Sequence, residues 1–143
     1  MRTKNIAFSF TSYCSISEKD HAIIKNFNVP KKIGYNEYLK NTIIGCLTVI
    51  IDKDKTGDFQ MPKIRSSHDM ALWLQIMKRG FFAYGLNKNL ACYRIVHSSN
   101  SSNKFKAVFD VWNVYRNIEN LPFLFSLMCF ISYIFNAIKK RYL

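Results

Sequence analysis

Apolar blocks alternate with polar stretches along the chain, and the spacing inside each block predicts an element. Residues 6–16, IAFSFTSYCSI, are aromatic and β-branched with partial alternation, the pattern of a strand. From Glu18 to Lys32 the apolar content shrinks to Ile23, Ile24 and Phe27 ahead of Pro30, which predicts a loop holding a strand fragment. YNEYLKN at 35–41 predicts a short helix. TIIGCLTVIID at 42–52 is a continuous β-branched run, expected to form a buried strand leaving a sheet and to end in the turn-like DKDKTGD. Gly45 within that run either marks a close backbone approach or simply weakens a core strand.

SSHDMALWLQIMKR at 66–79 is a helix by pattern and by its ends. Ser66 or Ser67 is placed to cap it, Asp69 lies in the first turn where the helix dipole favours a carboxylate, Lys78 and Arg79 lie in the last, and Gly80 stops it. Met70, Trp73 and Met77 share one face with Leu72 and Ile76 beside it, so this helix should pack on a sheet. Two strands, 81–86 and 91–96, are expected next, joined by an NKN turn, followed by the polar loop HSSNSSNK. Helix 104–118 then places Phe105, Val108, Phe109, Trp112 and Tyr115 at helical spacing.

From Leu121 to Ile138 no residue carries a formal charge, and Lys139, Lys140 and Arg141 follow. The length approaches that of a membrane span, while Pro122, Ser126, Ser132 and Asn136 dilute it. A span, a helix lying on a membrane and a helix packed on protein all fit this pattern. The basic end suits a surface bearing anionic lipid. The chain accordingly divides into 1–120, one α/β domain, and 121–143, an apolar C-terminal helix.

Composition narrows the class. A chain of 143 residues, 49% hydrophobic and with twelve Phe and eight Tyr, folds as a globular domain rather than serving as a tail. Twenty-one Lys and Arg against nine Asp and Glu give a net charge of +12, which favours an anionic partner without choosing among nucleotide phosphate, membrane and nucleic acid. The basic residues are dispersed and form no helix-turn-helix, zinc-finger or RNA-binding signature, which argues against nucleic acid. Cys14, Cys46, Cys92 and Cys129 lie more than thirty residues apart within apolar runs, as expected of reduced core thiols in a cytoplasmic protein.

Four strings occur in an order that carries a specific resemblance: NTIIGCLTVIIDK, GDFQMPKIRSSHDMALWLQIMKRG, AYGLNKNLACYRIVHSSNSSNK and WNVYR. The chain resembles the C-terminal half of bacterial family 2 glycosyltransferases of capsular, teichuronic and lipopolysaccharide synthesis, from about Ala7 through Arg141. The resemblance implies an α/β fold: the C-terminal part of a GT-A mixed sheet with flanking helices and an apolar C-terminal helix. It also implies a missing N-terminal half, in which a DxD-type motif would hold Mg or Mn on the diphosphate of a nucleotide-sugar; no metal or cofactor is expected in this chain itself.

In that family an acidic pair just before an apolar helix ends in the catalytic base, and Asp69 in RSSHDMALWL matches it, with His68 standing where the family usually has Glu or Gln. Read without the resemblance, Asp69 is a helix-start residue satisfying backbone donors and His68 a solvent-facing histidine. Arg65, Tyr93 and Arg94 are the next candidates, since a guanidinium matches phosphate oxygens and ACYRIV resembles a family segment near the active-site side of the sheet. His68, His97 and Ser98 join them as candidate substrate contacts, the last two opening a loop that resembles the family's serine-rich segment. Asp52 and Asp54 imitate a DxD spelling, but their position resembles the family's turn before the base-bearing helix.

The expected function is therefore that of a fragment of an inverting glycosyltransferase which, when complete, passes a sugar from a nucleotide-sugar to a cell-surface glycan or lipid-linked acceptor. The isolated chain is expected to be inactive, because stabilisation of the departing diphosphate is a large part of the chemistry. The rival reading is a non-catalytic, membrane-associated accessory or remnant protein. Its place would be the cytoplasm, peripheral to the inner face of the bacterial plasma membrane.

Overall fold

A computed structural model describes residues 5–19, 22–64, 66–96 and 104–142. They form a mixed α/β structure in which one sheet carries its helices on the core side.

Strand β1 (Phe8–Ile16) is the hub. It pairs antiparallel with β2 (Ile23–Phe27) through Tyr13 to Ile16, and parallel with β5 (Ala83–Arg94) along its whole length. The short β3 (Lys32–Ile33) lies against the far side of β5, giving the order β2-β1-β5-β3, and β4 (Ile50–Ile51) pairs with the start of β1. Phe8 and Phe10 point into the core with no exposure, as period-2 alternation requires.

Helix α1 (Tyr35–Lys40) follows the sequence reading. Helix α3 (His68–Lys78) buries Met70, Ala71, Leu72, Trp73, Leu74, Ile76 and Met77, and Trp73 meets Phe8 of the sheet at 5.4 Å between ring centroids. Gly80 ends it with φ 94°. Helix α4 (Lys104–Asn113) runs into a π-helical turn, Val114–Ile118, and α5 (Phe123–Tyr142) continues through the basic residues beyond the expected apolar stretch. The Tyr115 hydroxyl ties the π turn to α1 by donating to the Leu39 carbonyl.

Three expectations need correction. The run 42–52 is not one strand: Thr48 donates through both its amide (2.9 Å) and its hydroxyl (2.8 Å) to the Gly45 carbonyl, winding Cys46–Thr48 into a 3-10 turn and leaving two strand residues in β4. Local side-chain bonding of this kind competes with ladder formation. Nor is DKDKTGD an open turn. Lys55 and Thr56 amides donate to the Asp52 carbonyl, making the short helix α2 (Lys53–Thr56).

The expected hairpin at 81–96 is a single strand. Among the described residues, positive φ occurs at Asn5, Ser67, Asn120, Gly57 and Gly80, so the NKN segment lacks the backbone that a two-residue reversal demands. Its extra residues are absorbed as a register shift opposite Thr11 and Ser12, and the Ser12 hydroxyl donates to Asn87 Oδ1 at 2.5 Å. The strand fragment expected within 18–32 is present as the edge strand β2, held by backbone pairing to β1 and by Tyr13–Phe27 stacking at 4.8 Å.

Candidate functional site

Asp69 is the second residue of α3. The residue before the helix, Ser67, occupies the left-handed region (φ 57°, ψ 25°) and makes no side-chain cap, contrary to the expected serine capping. It supplies its carbonyl instead, accepting from the Ala71 amide at 3.1 Å. A left-handed serine costs on the order of 1 kcal/mol, and such strain is found where surrounding structure enforces it. Asp69 Oδ1 accepts from the Met70 amide at 2.9 Å, while Oδ2 has no hydrogen-bond donor among the described residues.

That carboxylate lines a cleft of about 320 Å³ whose walls come from four helices and the segment after α1. Tyr38 of α1, Thr42 and Ile44, Ala107 and Val111 of α4, and Tyr133 of α5 complete it. The negative charge of Asp69 is felt nearby. Burial pushes the Tyr38 hydroxyl well above its ordinary range and Asp69 adds to that shift; the Cys46 thiol is raised by the same two causes in the same order. Tyr38 therefore stays protonated beside a carboxylate, so it can donate a hydrogen bond but does not compete as a base.

The cleft opens along α5 into a trench. A second depression of about 410 Å³ shares Thr42 and Tyr133 with the first, and a third of about 460 Å³ shares Asn41, Asn136 and Lys140 with the second. The far end is basic, lined by Lys25, Lys139 and Lys140. Lys140 lies over the Phe27 ring at 4.8 Å, and burial, then Lys25, lowers its pKa.

Of the other candidates, His68 is exposed, and Tyr93 and Arg94 stand at the end of β5 opposite Ser15 and Ile16. Arg94 Nη1 donates to the Glu18 carbonyl at 3.5 Å. None of these three lines the Asp69 cleft. Arg65, His97 and Ser98 lie outside the described residues. Asp52 pairs with Lys55 at 3.1 Å at the start of α2, and no group of three His, Cys, Asp or Glu side chains among the described residues fits a metal ion. Sequence reasoning missed Tyr38, Thr42, Tyr133 and the lysine end of the trench. Tyr38 is visible only as one apolar position of a six-residue helix, and the lysines meet only through tertiary packing.

Comparison with known proteins gives a consistent kinship. The chain is 49% identical over 141 residues to the teichuronic acid biosynthesis glycosyltransferase TuaG of Bacillus subtilis, covering 99% of this chain and 56% of the relative. It is 37% identical over 143 residues to the UDP-Glc:alpha-D-GlcNAc-diphosphoundecaprenol beta-1,3-glucosyltransferase WfgD of Escherichia coli, covering 99% and 54%. A third relative, the E. coli enzyme WfaP with the same activity in its name, is 34% identical over 141 residues, covering 99% and 55%. The chain thus spans about half the length of the curated relatives it matches, consistent with the C-terminal portion its motifs resemble. No family model matches the chain, and no solved structure does.

Proposed function

We propose, from the premise that this chain is kin to bacterial glycosyltransferases over about half their length, that it forms the acceptor-side, base-bearing part of an inverting, GT-A-type sugar transferase of envelope polysaccharide synthesis. The observation that carries the reading is the Asp69 carboxylate, set in the first turn of α3 with one oxygen engaged by its own helix and the other available to the cleft.

In the proposed step, Asp69 takes the proton of an acceptor hydroxyl as that oxygen attacks the anomeric carbon from the face opposite the leaving nucleoside diphosphate. The backbone donor at Oδ1 and the α3 dipole orient the carboxylate, and Ser67 sets the turn that points it. Tyr38 and Tyr133 line the same cleft and offer hydroxyls for acceptor orientation. The E. coli relatives' names specify a diphosphoundecaprenol-linked acceptor, which supports a lipid-linked acceptor here. The donor diphosphate and the Mg or Mn expected on it are assigned to the part of the relatives that this chain does not span.

The test begins with the intact mass of the product in its source cells. A product about twice this length, as the coverage of the relatives implies, is expected to transfer sugar. In it, Asp69→Asn should lower kcat by about 10²–10⁴, the usual worth of a positioned base, while nucleotide-sugar affinity is kept. Undiminished turnover in that variant removes Asp69 from the role, and a product of 143 residues that binds no nucleotide-sugar returns the chain to the accessory or remnant reading.

A further inference from the structure

Helix α5 is amphipathic in the wrong sense for a helix facing water. Its inward face holds the polar groups: Ser126, wholly buried, donates to the Pro122 carbonyl at 3.0 Å; Asn136 Nδ2 donates to the Lys40 carbonyl at 3.0 Å; Lys140 Nζ reaches the Tyr13 hydroxyl at 3.5 Å. Its outward face is apolar. Leu124 (78% exposed), Leu127, Met128, Ile131, Phe135 (68%) and Ile138 recur at three- and four-residue spacing, a stripe roughly 21 Å long at 1.5 Å per residue. Phe123 extends it at one end. The Ser132 hydroxyl beside the stripe is satisfied by its own helix, donating to the Met128 carbonyl at 3.0 Å. Contiguous exposed apolar surface of this kind marks a site of contact.

We propose that α5 lies in the interface of an anionic phospholipid bilayer, its outward stripe among the acyl-chain ends nearest the headgroups and the exposed Lys139 at its basic end among the phosphates. Charge decides in favour of this occupant. The stripe ends at a basic cluster, and the chain carries +12 overall, so a second copy would bring like charge against like, whereas an anionic leaflet supplies the complement. A helix apolar on one side and basic at its end is the form that binds in the interfacial plane. The opposite face decides against a span: Ser126 and Cys129 are sealed against protein, and Asn136 is bonded to α1. The inference stands on α5 alone and does not need Asp69 to be a base.

The experiment is vesicle flotation of the full chain. Binding to vesicles containing phosphatidylglycerol is expected, with much less to pure phosphatidylcholine. The pair Ile131→Glu and Phe135→Glu, both on the exposed face, should weaken partition at least tenfold with an unchanged circular dichroism spectrum, and Lys139→Glu should erode the preference for anionic lipid. Asp69→Asn should bind as the parent does, which separates this reading from the catalytic one. Four results overturn the proposal: no flotation of the parent, equal flotation of the folded double variant, resistance to alkaline carbonate extraction as a spanning helix shows, or a lipid-free dimer that the same two substitutions dissociate.

Discussion

Glu119 is nearly sealed from water, yet it is held by partners from two different helices: the Tyr35 hydroxyl of α1 donates to Oε2, and Lys78 Nζ of α3 lies 2.8 Å from the same oxygen. Removing the carboxylate strands a half-buried phenol, so Glu119→Ala should cost about 1 kcal/mol in urea denaturation, and Glu119→Gln less, because an amide still accepts from Tyr35. The tyrosines carry a pH signature. Burial raises the pKa of Tyr35, Tyr38 and Tyr115, with Glu119 adding to Tyr35 and Asp69 to Tyr38. In the unfolded chain they ionise near the ordinary value of about 10, whereas the folded chain keeps its protons to higher pH. Their contribution is thus fully present below about pH 10 and lost as pH rises through the folded values. Melting temperature should fall steeply above that pH, and Tyr35→Phe should blunt the fall, as a melting series with absorbance titration of the phenolates can show. At this scale the sequence was informative where one residue speaks alone: Asp69 stands out ahead of an apolar helix. It was silent about Tyr38 and Tyr133, which meet Asp69 from positions far along the chain.

Elements were legible where periodicity is long. The helices α3, α4 and α5 and the strand β1 follow their patterns because an amphipathic stripe of two or more turns, or an alternating run, has few competing explanations. The misread segments are those in which a few bonds outweigh propensity. Thr48 bonding back to Gly45 winds a β-branched run into a 3-10 turn, and a long β1 gives β5 a partner to run beside, so that a turn-like tripeptide stays extended. β5 has one strict position. A Cβ on Gly85 would lie 2.1 Å from the Pro30 carbonyl oxygen, a backbone atom that cannot swing aside. Gly85→Ala should therefore destabilise by roughly 1–3 kcal/mol or more. Gly80→Ala meets no atom within 4 Å but must hold φ 94°, so it should cost only about 1 kcal/mol. Parallel urea denaturation of the two variants compares a clash with a backbone cost.

At the scale of the whole molecule, the α/β class and its apolar C-terminal helix follow from the sequence, but the way that helix turns does not. The same residues would serve a span, a packed helix or an interfacial one; the burial of Ser126 and Cys129 and the bonds from Asn136 and Lys140 fix which side faces protein. The trench from Asp69 to the lysines is likewise a product of assembly, made by α5 lying across α1 and the edge strand β2. The central pairing has a further consequence, in time rather than in space. The strand that covers the full length of β1, β5, begins 67 residues after β1 ends. At roughly 5–20 residues per second, Phe8 and Phe10 wait on the order of several seconds for the neighbour that seals them. A parallel pair this distant in sequence also places refolding among the slow topologies. The nascent chain is therefore open to mispairing along β1 until β5 emerges, an interval in which Tyr38, Thr42 and Asp69 of the cleft are already made.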